Sequence, residues 1–158
     1  MKLYTFICIL TSNLIIMFSK TNLISALATA VWGFLGGYLL WGMLVDPILT
    51  DHVMTQGLYR SDENIDTIHL IIGCIVVGFV VSNIYSKWAQ GNYGASSGTG
   101  FGVWIGILVG FGAGIVNYSV MNLLDITGTL IDGVTYIVFF AIMGAIAGFV
   151  YKKFASRD

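Results

Sequence analysis

The sequence predicts an all-α membrane protein: a four-transmembrane-helix bundle built from two parallel-repeat helical hairpins, preceded by an N-terminal lead-in helix. Three observations carry that expectation. Only 9% of the 158 residues are charged and 57% are hydrophobic, whereas a soluble domain carries about 25% charge. Four stretches, 21–45, 67–86, 88–124 and 133–151, contain no Asp, Glu, Lys or Arg. The second of these reappears in the fourth when the chain is slid so that Asp66 falls on Asp132. A bilayer core about 30 Å thick needs roughly 20 apolar helical residues at 1.5 Å each, and each stretch reaches or approaches that length.

In chain order, residues 1–20 form an apolar lead-in. Lys2 followed by a short apolar run resembles a secretory signal, but no small-x-small cleavage site follows it. Thr11, Ser12 and Asn13 break what would be a fifth span. An interfacial or uncleaved signal-like helix is expected, with a later start at Met17 as the alternative. Residues 21–158 then make a single transmembrane domain with spans at about 22–45, 65–88, 101–124 and 131–152. The first span is expected to stop at Asp46 and Pro47, since the residue before a proline is pushed out of the helical region. Gln90–Gly100 reads as a polar lead-in to the third span.

The charges set an orientation. Lys20 precedes the first span, Lys87 closes the second, and Lys152, Lys153 and Arg157 follow the fourth. Asp46, Asp51, Asp62, Glu63, Asp66, Asp125 and Asp132 gather at the other ends, with Arg60 as their one base. Basic residues flanking spans mark the cytoplasmic face, so both ends of the bundle are predicted inside and the 46–64 loop outside. A net charge of −1 with no basic stripe excludes nucleic acid as a partner. Cys8 and Cys74 lie in separate apolar stretches without ligand spacing and read as buried thiols.

The internal match covers 65–89 against 131–155 without gaps, aligning Asp66 with Asp132, Gly78 with Gly144, Tyr85 with Tyr151 and Lys87 with Lys153. The first and third spans match through small residues, Ser25, Thr29, Gly33 and Gly37 falling on Gly98, Gly102, Gly106 and Gly110. Both hairpins then run in, out and in again, with a pseudo-twofold axis along the membrane normal, as in parallel transporter repeats.

Glycines recur every fourth position at Gly98, Gly102, Gly106, Gly110 and Gly114, a spacing that lines one helix face. A phosphate loop would need a preceding strand and a Lys. A linker would not interleave Trp104, Ile105, Leu108 and Phe111. In lipid, small residues at this spacing let backbones approach. Helix packing is therefore assigned to Gly102, Gly106, Gly110 and Gly114, with Ser25, Thr29, Gly33 and Gly37 of the first span as the facing groove. Gly144 and Gly148 give the fourth span a smaller version. A homodimer seam is the other use of such a face.

Candidate chemistry is confined to the acidic ends. Asp66 and His69 share a face; Asp132 and Tyr136 hold the matching place in the repeat; Asp46 and Asp125 close the first and third spans, with His52 between. These groups could converge on an outward-facing pocket for a cation or proton, since intramembrane ionisable groups are functional candidates. Helix capping explains Asp66 and Asp132 equally, because a first-turn carboxylate meets free N–H groups and the positive end of the dipole. No metal-ligand, nucleophile–base or acid-pair motif is present, so no catalytic residue, metal or cofactor is assigned. Ser82 and Ser119 lack a base. Asn83 and Asn117 are expected to bond neighbouring helices. The Trp and Tyr residues, Trp32, Trp41, Tyr85 and Tyr151 among them, read as an interfacial belt.

LIDGVTYIVFFAIMGAIAGFVYKK (130–153) opens on an Asp-Gly step, then a Tyr, then a Met-Gly-Ala-Ile core; ALATAVWGFLGGYLLWGMLVDPIL (26–49) carries small residues, an aromatic pair and a terminal Pro. On these stretches the chain, over roughly 22–153, resembles a family of small four-helix bacterial inner-membrane proteins of unknown function. That family's first helix commonly has an adjacent Trp-Tyr pair before its Pro, where Tyr38 and Trp41 stand apart here. The resemblance implies the four-span fold and the bacterial cytoplasmic (inner) membrane; it implies no activity. Two functions follow as expectations. One is a structural or accessory bundle surrounded by membrane lipid, associating as a homodimer or within a larger membrane complex. The other is a dimeric small transporter or channel for a cation or proton that uses the outward-facing Asp/His cluster.

Overall fold

Lys20–His52, Thr67–Trp88, Ala95–Val120 and Ile126–Phe154 form helices long and apolar enough to cross a membrane; they are numbered α1 to α4. This computed structural model describes residues 17–57, 60 and 64–155, so most of the lead-in expected over 1–20 lies outside the described residues. Among the described residues the only β-type pairing is one isolated bridge, Val53 to Leu124. An all-helical chain is what hydrocarbon demands, since a helix satisfies its own backbone groups. Side chains close three of the four starts. Ser19 accepts from the Asn22 N–H at 3.2 Å, Asp66 from the His69 N–H at 3.2 Å, and Asp125 from the Gly128 N–H at 2.7 Å. The α2–α3 turn is tight, with Gln90 at φ 47° and Gly91 at φ 88°, a left-handed step that glycine takes without steric cost.

Three boundaries differ from those expected. α1 does not stop at Asp46 and Pro47 but runs on to His52. Its Tyr38–Val45 segment is π-helical, and Asp46 N–H bonds back to Trp41 O. Pro47 then falls in the first turn of the short α-helical stretch Asp46–Leu49, where a missing N–H does no harm. α3 takes in half of the polar lead-in, starting at Ala95. α4 begins at Ile126 rather than near Asp132, because Asp125 supplies the cap. α3 also carries a π-helical segment, Ile107–Ala113.

The four helices are antiparallel in sequence and α4 is their axis. α3 and α1 both pack on α4, and α2 packs mainly on α1. The core gathers Tyr85, Phe101, Phe139, Phe140, Met143 and Tyr151 with smaller neighbours. Tyr85 is fully buried, its ring 5.6 Å from Phe101 and 5.7 Å from Tyr151. The first half of α2, residues 67–77, is exposed except at Cys74, so this helix leans on the bundle mainly with its second half.

The glycine face of α3 meets α4. A Cβ on Gly98 would collide with the Gly144 carbonyl and one on Gly102 with the Phe140 carbonyl. On Gly106 it would lie 2.5 Å from Ile137 Cα, and on Gly110 2.6 Å from Gly133 O. Gly144 and Gly148 return the contact against the carbonyls of Gly98 and Gly94. No side chain fits between these backbones. The facing groove is therefore not on α1, and the assignment of Ser25, Thr29, Gly33 and Gly37 to α3 is corrected. Ser25 and Thr29 are buried, and the Thr29 hydroxyl reaches Gly78 O of α2 at 3.1 Å. Gly33 lies by Cys74 and Met143 with room for a methyl, a Cβ on Gly114 would stand 3.7 Å from the Thr129 methyl, and one on Gly37 would meet nothing within 4 Å. Helices consecutive in sequence usually lie next to each other in space. The glycines of α3 accordingly go to α4 and the small residues of α1 to α2.

Candidate functional site

The acidic end holds three separate pairings. At the start of α2, Asp66 Oδ2 lies 2.8 Å from His69 Nδ1, while Asp66 Oδ1 caps the His69 N–H. Arg60 approaches the same carboxylate at 4.0 Å. The group is exposed, and the hydrogen bonds from His69 hold its carboxyl below the usual carboxylate range. Between the loops, His52 Nδ1 lies 2.9 Å from Asp125 Oδ2. Asp125 is likewise held low, first by the Gly128 N–H and then by His52. Backbone bonds run beside this pair, Met54 N–H to Leu123 O at 2.9 Å and Asp125 N–H to His52 O at 2.9 Å. The loop after α1 is thus stitched to the turn before α4.

The third pairing lies inside a span. The Trp41 indole N–H donates to Asp132 Oδ1 at 2.7 Å. Tyr136, one turn further along α4, sets its ring 4.7 Å from that of Trp41. Asp132 is no helix cap: it stands seven residues past Asp125 on α4, about 10 Å along the axis at 1.5 Å per residue. Asp46 is exposed on α1, its carbonyl accepting from the Thr50 hydroxyl. Of the residues expected to share one outward-facing pocket, Asp66 is joined to His69 and Asp132 to Trp41, with Tyr136 beside that Trp41, while Asp125 is joined to His52.

A buried polar cluster occupies the opposite, basic half. Asn22 Oδ1 accepts from the Ser82 hydroxyl at 2.6 Å and from the Tyr151 hydroxyl at 2.8 Å, tying α1, α2 and α4 together. Asn22, Ser25 and Ser82 are fully buried. Tyr85 hydroxyl exchanges bonds of 3.2 Å with the backbone of Gly94. Asn22 was not singled out from sequence. The available signal was its place four and seven residues before Ala26 and Thr29, on the small polar face of α1. The amides that were singled out behave differently. Asn83 donates to Phe79 O of its own helix at 2.8 Å, and Asn117 is exposed. The aromatic belt also needs correction. Tyr85 and Tyr151 are core residues and Trp32 and Trp41 pack against that core, because each finds a partner for its hydroxyl or N–H inside.

Among the described residues no three His, Cys, Asp or Glu side chains gather as metal ligands. Ser119 donates to Ile115 O on an exposed face. No protein-family model matches the chain, and neither does any curated protein or solved structure.

Proposed function

We propose that the chain is a four-span bundle of the bacterial inner membrane with both ends of the bundle in the cytoplasm, and that its role is structural or accessory, exercised as a homodimer or within a larger membrane complex. The observation that carries this reading is the backbone-to-backbone closure of α3 on α4 along Gly98, Gly102, Gly106 and Gly110. A seam closed main chain to main chain supports a packed bundle over an aqueous path within one protomer. Membership of the small four-helix bacterial family, by resemblance, is part of the same proposal.

Two parallel-repeat hairpins fit the pairing of contacts. A Cβ on Gly78 would lie 2.7 Å from Ala26 O and Ala30 N, and one on Gly144 would likewise run into Gly98 O and Gly102 N. One turn on, Ser82 bonds Asn22 O and Gly148 abuts Gly94 O. These pairs support the sequence match of α2 with α4, and they favour aligning Ala26 with Gly98 rather than Ser25 with Gly98.

A dimeric transporter or channel for a cation or proton is the second reading, favoured by the Asp132 carboxylate within α4. Oligomeric state in detergent and in lipid, followed by cation and proton flux in proteoliposomes, separates the two. The accessory role expects a defined oligomer without flux; flux that disappears in Asp132→Asn would replace it with transport.

A further inference from the structure

The Asp132 carboxylate stands on a face of α4 that α1 and α3 approach from either side. Tyr136 marks that face. Its ring meets Trp41 of α1, and its backbone and Cβ lie under Gly106 and Gly110 of α3. α1 and α3 share no extensive contact of their own, so the recess between them is floored by α4. Asp132 lies one turn from Tyr136 toward the acidic end, partly buried, with Trp41 at 2.7 Å. Phe139 lies 5.3 Å from Trp41, and Phe140 stacks 6.3 Å from Tyr136. Both flanking helices are π-helical here, Tyr38–Val45 on one side and Ile107–Ala113 on the other. π segments in otherwise regular helices concentrate at functional sites.

Among the described residues no Lys, Arg or His reaches Asp132. The basic side chains of the spans, Lys20, Lys87, Lys152 and Lys153, stand at the opposite ends of their helices. A carboxylate within lipid requires a counter-charge or a proton. Aromatic rings beside a carboxylate recognise organic ammonium-type cations, whose charge is spread and easily desolvated.

We propose that this recess binds a lipophilic organic cation from the bilayer, with Asp132 as counter-ion and the rings of Trp41 and Tyr136 as its walls. The inference goes beyond the accessory role and needs only the membrane placement, since binding without transport satisfies it. The other titratable groups nearby are the Tyr136 phenol and Asp46, five residues beyond Trp41 on α1.

The test is equilibrium dialysis of the purified full chain in detergent against tetraphenylphosphonium. Saturable binding is expected. Asp132→Asn is expected to weaken it tenfold or more, about the worth of one charge-assisted contact. Trp41→Leu is expected to weaken it roughly three- to thirtyfold, while Asp132→Glu retains it and Asp66→Asn leaves it unchanged. Uncharged tetraphenylsilane should not compete. Absence of saturable binding, equal binding by a folded Asp132→Asn, or equal competition by tetraphenylsilane would overturn the proposal. Should Asp132→Asn fail to fold, proton competition in the unmodified chain decides. Binding must fall as the pH is lowered between about 9 and 4, and a flat profile overturns the site. Flux in proteoliposomes is a separate readout, so loss of the transport reading leaves this result intact.

Discussion

Single residues in this protein settle matters that hydropathy leaves open. Asn22 is the clearest case, because one amide oxygen holds hydroxyls from two other helices. Asn22→Ala would leave Ser82 and Tyr151 without that acceptor, at a cost of about 1–2 kcal/mol for bonds between membrane helices. Chemical denaturation in detergent should show this loss, and adding Ser82→Ala to Asn22→Ala should cost less than the two changes summed. Full additivity would mean that the bond carries no weight. Asp66 and Asp125 contribute in a pH-dependent way. Each has a folded pKa below the unfolded value near 3.8, so folding favours the ionised form. The stabilisation is present above that value and is lost as the pH falls through the folded pKa. Thermal stability should therefore drop below about pH 4, and less steeply in Asp125→Asn than in the unmodified chain.

Elements were legible from sequence in proportion to how far apolar length alone defines them. The existence of four spans follows from charge-free stretches, since lipid admits only closed hydrogen bonding. Their ends did not follow. Pro47 reads as a stop because a regular helix would lose its Asp46 conformation there, yet a π segment resets the ladder one residue earlier and the helix continues. Gln90–Gly100 reads as a polar lead-in outside the span, yet Gly98 must be helical to lie on Gly144. The four-residue glycine period identified a face and left its partner undetermined, because Ser25 and Thr29 of α1 offer a similar small surface. Contact decides it: α3 seats on α4 and α1 on α2. The candidate site was legible as a set of acidic residues but not as a grouping, since Asp125 caps the helix in which Asp132 is interior. Trp41 as the donor to Asp132 carries no local signal; the two are 91 positions apart. At this scale Ser82→Leu should separate α2 from α1, as a branched side chain cannot enter the space against Asn22. A gain of protease cleavage in the α2–α3 turn would report it, whereas Ile75→Leu on the exposed face of α2 should change nothing.

The whole molecule is a central helix, α4, with α3 and α1 against it and α2 leaning on α1 by its second half. That arrangement stands on main-chain proximity more than on interlocking side chains, because hydrocarbon rewards close packing and offers no hydrophobic drive between helices. Its proposed orientation is open to labelling. In a background lacking Cys8 and Cys74, Gln56→Cys should react with an impermeant maleimide from outside only and Asn92→Cys from inside only; labelling of both from one side would reject the topology. The central claim, that α3 and α4 touch backbone to backbone, is tested most directly by one comparison on α3. Gly102 has the Phe140 carbonyl where a Cβ would go, whereas Gly100 has nothing within 4 Å. Thermal unfolding of the two single-methyl variants in the same detergent is the measurement. Gly102→Ala should be destabilised by about 1–3 kcal/mol, the usual cost of overpacking, with Gly100→Ala unchanged or slightly more stable. Equal stability of the two variants would contradict it.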